Sequence, residues 1–332
     1  MVDSGRKRAA LRIATSVSCA LGIVVMSIPA LAQEPKLLRT LPAKAEPGCI
    51  HCVAISPDSK TIVCGENNDL RIWNVTSGKE IAALNHASEI GFNSLAFSPD
   101  GKKVACGLFG NTIKILDMTT RKFTTLHDDE REYSRPQVVF SPDGKTLASG
   151  GRCTDKIRLW NLDTGKPTVT IDLHSEYGVS TLAFSIDGKT LNSVALENNS
   201  HCSWDMTSGK EMCKRVLPNM DWYALAFSPD AKVLAVEIED KNIQIREVSA
   251  LKEIVTLKGH SKDLRQATFS PDGRKLASQS ERGEIELWDV KSGKGTSGFQ
   301  GQASCLTFSA DGTMLVVGQK DGSIKIWDLG KN

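Results

Sequence analysis

The sequence predicts an all-β fold of seven four-stranded antiparallel units, on three observations. A short turn phrase recurs seven times: ISPDSK (55–60), FSPDGK (97–102), FSPDGK (140–145), FSIDGK (184–189), FSPDAK (227–232), FSPDGR (269–274) and FSADGT (308–313). Its serines, at 56, 98, 141, 185, 228, 270 and 309, follow one another at 39–44 residues. A second phrase keeps register with the first, as IWN (72–74), ILD (115–117), LWN (159–161), SWD (203–205), IRE (245–247), LWD (287–289) and IWD (326–328). Finally, apolar and small residues alternate between the phrases with the period of a strand. Self-similarity at such a period marks an array of one repeated supersecondary unit.

Within a unit each strand has its own reason. Strand a is the alternating run before the turn phrase, as in Ser94-Leu95-Ala96-Phe97. The Ser-Pro-Asp-Gly turn reverses the chain, because Pro presets φ, Asp bonds back to the backbone and Gly accepts positive φ. Strand b follows, as in TLASG (146–150) or KLASQ (275–279). Strand c is the β-branched stretch that ends at Trp, such as Ser323-Ile324-Lys325-Ile326-Trp327. Strand d comes after a second turn, as in Lys252-Glu253-Ile254-Val255-Thr256-Leu257.

These phrases resemble the WD-repeat family, whose signatures are a Gly-His pair, a Ser-Pro-Asp-Gly turn and a terminal Trp-Asp; the resemblance covers residues 36–329. It implies a β-propeller, with four strands per blade around a central channel, and seven units then imply seven blades. The last unit stops after strand c at Asp328-Leu329, and Leu37-Leu38-Arg39-Thr40-Leu41 precedes the first strand a. The N-terminal strand is therefore expected to complete blade seven, closing the ring and hiding open edges. Residues 33–332 are expected to be one monomeric propeller.

Composition agrees with a folded chain and narrows its partners. The protein has 332 residues, with 24% charged residues and a formal charge of +2. Arg6, Lys7, Arg8 and Arg12 against Asp3 put that positive charge in the first 32 residues. The remainder lacks the clustered Lys and Arg of a nucleic-acid footprint, so no nucleic-acid partner is expected. Ile13 to Ala32 carries no charge and ends in Ala30-Leu31-Ala32. Residues 1–32 thus read as a secretory signal cleaved after Ala32, or, left uncleaved, as a membrane anchor over 13–32. Either outcome exports the propeller to a periplasmic or extracellular location.

Candidate chemistry is sparse. His86, His127, His174 and His260 recur after strand d; the resemblance makes them structural, bonded through Ser or Thr and Asp to the blade tryptophans. Those are Trp73, Trp160, Trp204, Trp288 and Trp327. Cys49-Ile50-His51-Cys52 has no second C-x-x-C, so a zinc site is not expected. Cys64 and Cys106 fill the strand-b position of Ser149, Ser193 and Ser278, as small buried residues. Free thiols are the default, with two candidate bridges. If Asp205 pairs with Lys210, Cys202 lies opposite Cys213; Cys52 and Cys305 hold equivalent inner positions in blades one and seven. Register and Cα separation decide both. Gly-Lys-Thr at 144–146 and 188–190 is no phosphate loop, because Val139 and Ala183 stand where its first Gly is needed. Blade five departs from the pattern, with Arg246 at the Trp position and Ala231 at the turn Gly.

Recognition remains. Counting back from the last apolar residue of each strand a, the fourth position holds His51, Asn93, Pro136, Ser180, Tyr223, Arg265 and Ser304. This polar ring is the expected partner-binding rim, led by Tyr223 and Arg265 as favoured hot-spot types, with His51, Asn93 and Arg135 behind. The resemblance implies a non-catalytic protein–protein interaction scaffold without cofactor or metal. A narrower version is an envelope-complex subunit similar in role to the Tol-system propeller. Propeller enzymes, hydrolases or oxidoreductases centred on the channel, form the contrasting class; they would need a nucleophile–base pair or a ligand cluster, and none is visible.

Overall fold

A computed structural model describes residues 35–42, 49–85, 91–110, 112–126, 135–173, 177–196, 200–217, 223–260, 263–299 and 301–330. The expected leader, residues 1–32, and His86, His127 and His174 lie outside the described residues. The described part forms seven four-stranded antiparallel sheets, a seven-bladed β-propeller. Blade one is typical, with strands a to d at Ile50–Ile55, Thr61–Glu66, Asp69–Asn74 and Glu80–Asn85. Blade seven takes Ala303–Phe308, Met314–Gln319 and Ile324–Asp328 from the end of the repeats and Lys36–Leu41 as its fourth strand. Leu37 pairs with Trp327 and Leu41 with Ile324, so the expected ring closure is present. Arg39 also reaches into blade one, donating to the Thr76 carbonyl at 2.9 Å and that of Ser77 at 3.3 Å.

The turn phrase folds by one device repeated in all seven blades. The Ser hydroxyl donates to the Asp two residues on, at 2.5–2.7 Å. The same oxygen accepts the backbone N–H five residues on, at 2.8–3.0 Å. These bonds favour the carboxylate, and the serine donors hold Asp58, Asp100 and Asp143 below the usual carboxylate range. The turn glycines adopt positive φ, and Ala231 is held there too, at φ 55°.

Each seam between blades has its own apolar cluster. Strands b and c turn one face to the next blade: Val63, Leu70 and Ile72 in blade one, Ala148, Ile157 and Leu159 in blade three. The strand-c aromatic of the next blade answers it, Trp204 against blade three for example. Nε1 of Trp160, Trp204 and Trp288 donates to Ser149, Ser193 and Ser278 at 2.8, 2.8 and 2.7 Å. Ser278 also bonds His260 Nε2, so blade six carries a His–Ser–Trp relay. In blade one Cys64 stands at the serine position, so the Trp73 indole meets a thiol there in place of a hydroxyl. Trp327 stacks instead on Phe299, with centroids 4.5 Å apart. Arg246 donates to Gln244 Oε1 at 2.7 Å and to the Leu251 carbonyl, so blade five replaces its aromatic ring with an internal polar tie.

Both candidate disulfides are corrected. The eight cysteines from Cys49 to Cys305 are free. Asp205 N–H does donate to the Lys210 carbonyl at 2.9 Å, but a bulge beside Trp204 then shifts the register. Cys213 pairs with Ser203 and Cys202 with Lys214, which puts the two thiols on opposite faces of the sheet. Cys52 and Cys305 are equivalent in a rotational repeat and so point the same way around the ring. Cys305 joins the blade seven–one cluster, Cys52 the blade one–two cluster.

Candidate functional site at the channel mouth

Antiparallel pairing puts the starts of strand a, the ends of strand b and the b–c loops on one face of the ring. On this face a central channel of about 1010 Å³ opens between the blades. Bulges place its polar lining. In six blades one residue of strand a is skipped in the pairing with strand b, and in five of them it is the fourth position back: His51, Asn93, Ser180, Arg265 and Ser304. A bulged residue escapes the alternation of its strand, so its side chain is re-aimed. All five line the channel.

The other two rim candidates differ. Blade three pairs without a bulge, Pro136 with Gly151, and Arg135 does not line the channel. Its guanidinium sits over the Phe109 ring, 5.2 Å from the centroid. Tyr223 opens strand a of blade five, where the bulge has moved to Leu225; the Tyr223 side chain lies outside what the structure describes.

Hydrogen bonds from inner strands stitch the mouth together. Asn93 donates to the Pro136 carbonyl at 3.0 Å, Gln137 to that of Ser180 at 2.7 Å, and Ser304 to that of Ile50 at 2.5 Å. Arg265 and His51 are exposed. Partial desolvation, and then the Arg265 charge, hold the His51 imidazole below its ordinary value.

Opposite in sign is a sector that the sequence reading missed. Glu237, Glu239, Asp240, Asp263 and Glu281 line the channel from blades five and six. Glu237 Oε1 accepts the Leu264 N–H at 3.0 Å. Burial raises its pKa against that bond, and Asp263 and Glu281 push the same way. Lys241 lies 3.9 Å from Asp263. These carboxylates sit at strand ends and in loops, outside both repeated phrases. Among the described residues no group of three His, Cys, Asp or Glu is placed to hold a metal. The mouth is a polar surface on which blades five and six supply five carboxylates together with Lys241 and Arg265, while the ring positions of the other blades add uncharged polar side chains.

Comparison with known proteins agrees with this architecture. The family described as WD domain, G-beta repeat matches residues 35–74, 78–117, 137–161 and 293–328. The Anaphase-promoting complex subunit 4 WD40 domain family matches 225–304. The chain is 30% identical over 246 residues to Periodic tryptophan protein 2 of Arabidopsis thaliana, covering 74% of this chain and 22% of that protein. It is 28% identical over 93 residues to Target of rapamycin complex subunit wat1 of Schizosaccharomyces pombe, covering 27% of this chain and 29% of that protein. Transcription factor unc-37 of Caenorhabditis elegans is 32% identical over 91 residues, 27% of this chain and 15% of its own length. The chain therefore spans less than a third of each of these relatives. Repeated turn, blade geometry and family matches coincide, and the chain belongs to the WD-repeat family.

Proposed function

We propose that this protein is an exported, non-catalytic scaffold whose channel mouth grips protein partners. The carrying observation is the set of bulged residues, His51, Asn93, Ser180, Arg265 and Ser304, aimed into one opening beside a carboxylate sector. Fixed donors and acceptors of both signs suit a folded partner or peptide that itself carries both charges, since complementary potentials give specificity. The Schizosaccharomyces pombe relative, named as a complex subunit, supports an interaction role. Export rests on the basic, then uncharged, first 32 residues; a subunit of an envelope complex is the narrower form of this reading.

Two measurements test it. Fractionation with N-terminal sequencing should find a mature chain starting at Gln33 outside the cytoplasm; a purely cytoplasmic chain that keeps Met1 rejects export. Cross-linking and affinity capture from the envelope or extracellular fraction should recover partners that Arg265→Ala and Tyr223→Ala release. Retention of the same partners by both variants rejects the rim.

A further inference from the structure

We propose that the seam between blades four and five is the joint at which this ring opens, and that protonation of His201 drives the opening. Each seam rests on three equivalent positions, the third residue of strand b and the residues three and one before the tryptophan position of strand c. They hold Val63, Leu70 and Ile72 in blade one, and Ala277, Ile285 and Leu287 in blade six. Blade four has Asn192, His201 and Ser203 instead. The pairing of Asn192 with Ser203 and of Val194 with His201 keeps all three on the face turned to blade five. His201 is 1% exposed, and Phe227 of blade five meets its ring edge-on at 6.1 Å.

The opposing blade is weakened at the same seam. Arg246 occupies the position from which Trp204 or Trp288 fills a neighbouring seam with an aromatic ring. The strand-b residue facing the next blade's inner strand also differs. At Gly65 an added Cβ would lie 2.5 Å from Phe92 of blade two, so those blades meet in close contact. Glu237 and Gln279 instead bridge to Leu264 N–H and to the Ala303 carbonyl. Val194 does neither.

The polar trio bonds within itself and leaves one ring nitrogen of His201 unpaired. Asn192 Oδ1 accepts from Ser203 Oγ at 2.8 Å and lies 3.1 Å from His201 Nε2, while His201 Nδ1 is buried without a partner among the described residues. The charged group acting on His201 is Arg215, opposite it on strand d, and it repels an imidazolium. From blade five Phe227, Leu234, Val236 and Val248 offer no counter-charge. Glu237 is engaged with blade six. Among the described residues nothing compensates a proton on His201, so it places a charge in a buried seam, which opening to water relieves.

Burial, then Arg215, lower the His201 pKa from 6.5 to about 4. With an ordinary imidazole in the open form, acidification from pH 7.5 to 4.5 shifts the open-to-closed ratio about 70-fold. The test is hydrogen exchange on the full chain, read as protection factors, which removes the intrinsic pH dependence of exchange. Protection in 200–205 and 223–227 should fall by about that factor relative to blades one and two, and His201→Gln should abolish the local response. Should that variant not fold, the triple change Asn192→Ala, His201→Ile, Ser203→Leu installs the residues of blade three and should stay closed at both pH values. An equal loss of protection in every seam, or an unchanged local response in the folded variant, overturns the proposal.

Discussion

Replacing Arg71 by Met should destabilise the ring more than any exposed charge change. Arg71 Nη1 lies 3.1 Å from Glu66 Oε2 and Nη2 2.5 Å from Glu80 Oε2, and the guanidinium sits 4.4 Å from the centre of the Trp73 ring. The Arg71 and Glu66 side chains are 6% and 1% exposed. Burial works against the cation, but Glu80 and then Glu66 overcome it and raise the Arg71 pKa. Methionine keeps much of the stem packing but strands the Glu66 carboxylate, at about 3–5 kcal/mol, and forfeits about 1 kcal/mol over Trp73. Glu80 remains partly solvated and adds little. A loss of about 4 kcal/mol, divided by an unfolding entropy of about 2.1 cal/mol/K per residue over roughly 300 residues, lowers Tm by about 6 °C. Calorimetry at one scan rate measures it. Adding Glu66→Gln removes the stranded charge and should restore more than half of the loss. A Tm drop below about 2 °C, or no recovery in the double variant, refutes the buried-pair reasoning.

Three further outcomes follow from the same geometry. Ala231→Gly, at the turn position where φ is 55°, should stabilise by about 0.5–1 kcal/mol in denaturant titration, because the methyl group is held in a region that disfavours it. Gly318→Ala should cost about 1–3 kcal/mol, since its Cβ would lie 2.6 Å from both Cys305 Sγ and Ile50 Cγ2, and Cys305→Ala should recover part of that. Burial lowers the His260 pKa to about 4, with Glu284 opposing, so the unfolded chain binds the proton more readily. Stability from this group is therefore complete above about pH 6.5, falls as the pH drops and levels off near 4, by up to about 2 kcal/mol after allowance for solvent access. His260→Gln should flatten that part of a Tm-against-pH curve.

Repetition made the fold legible. One turn phrase whose Ser and Asp bond in every blade leaves little freedom of register, and the strand at 36–41 could be assigned because blade seven was short by one. Counting back along strand a found His51, Asn93 and Arg265 in the channel because the bulge recurs at that position. Arg135, one position further back in blade three, stays out of the channel, where that strand runs unbulged. A one-residue bulge separated Cys202 from Cys213 for the same reason, since the sequence shows spacing but not which residue pairing skips. The carboxylate sector lies at strand ends and in loops that the phrases do not reach. His201 falls outside the period of His86, His127, His174 and His260, so no repeated phrase marks its position.

Blade seven joins a strand made early in synthesis to one made some 290 residues later, and Arg39 fastens that strand to blade one. A ribosome delivers the two partners in the wrong order for early folding. The strand at 36–41 must wait, unpaired, while six blades and most of a seventh emerge. Contacts that join such distant segments slow closure, and an incomplete ring offers open edges to other chains. The seventh blade therefore acts as a clock, because the ring can close only after Asp328 is made.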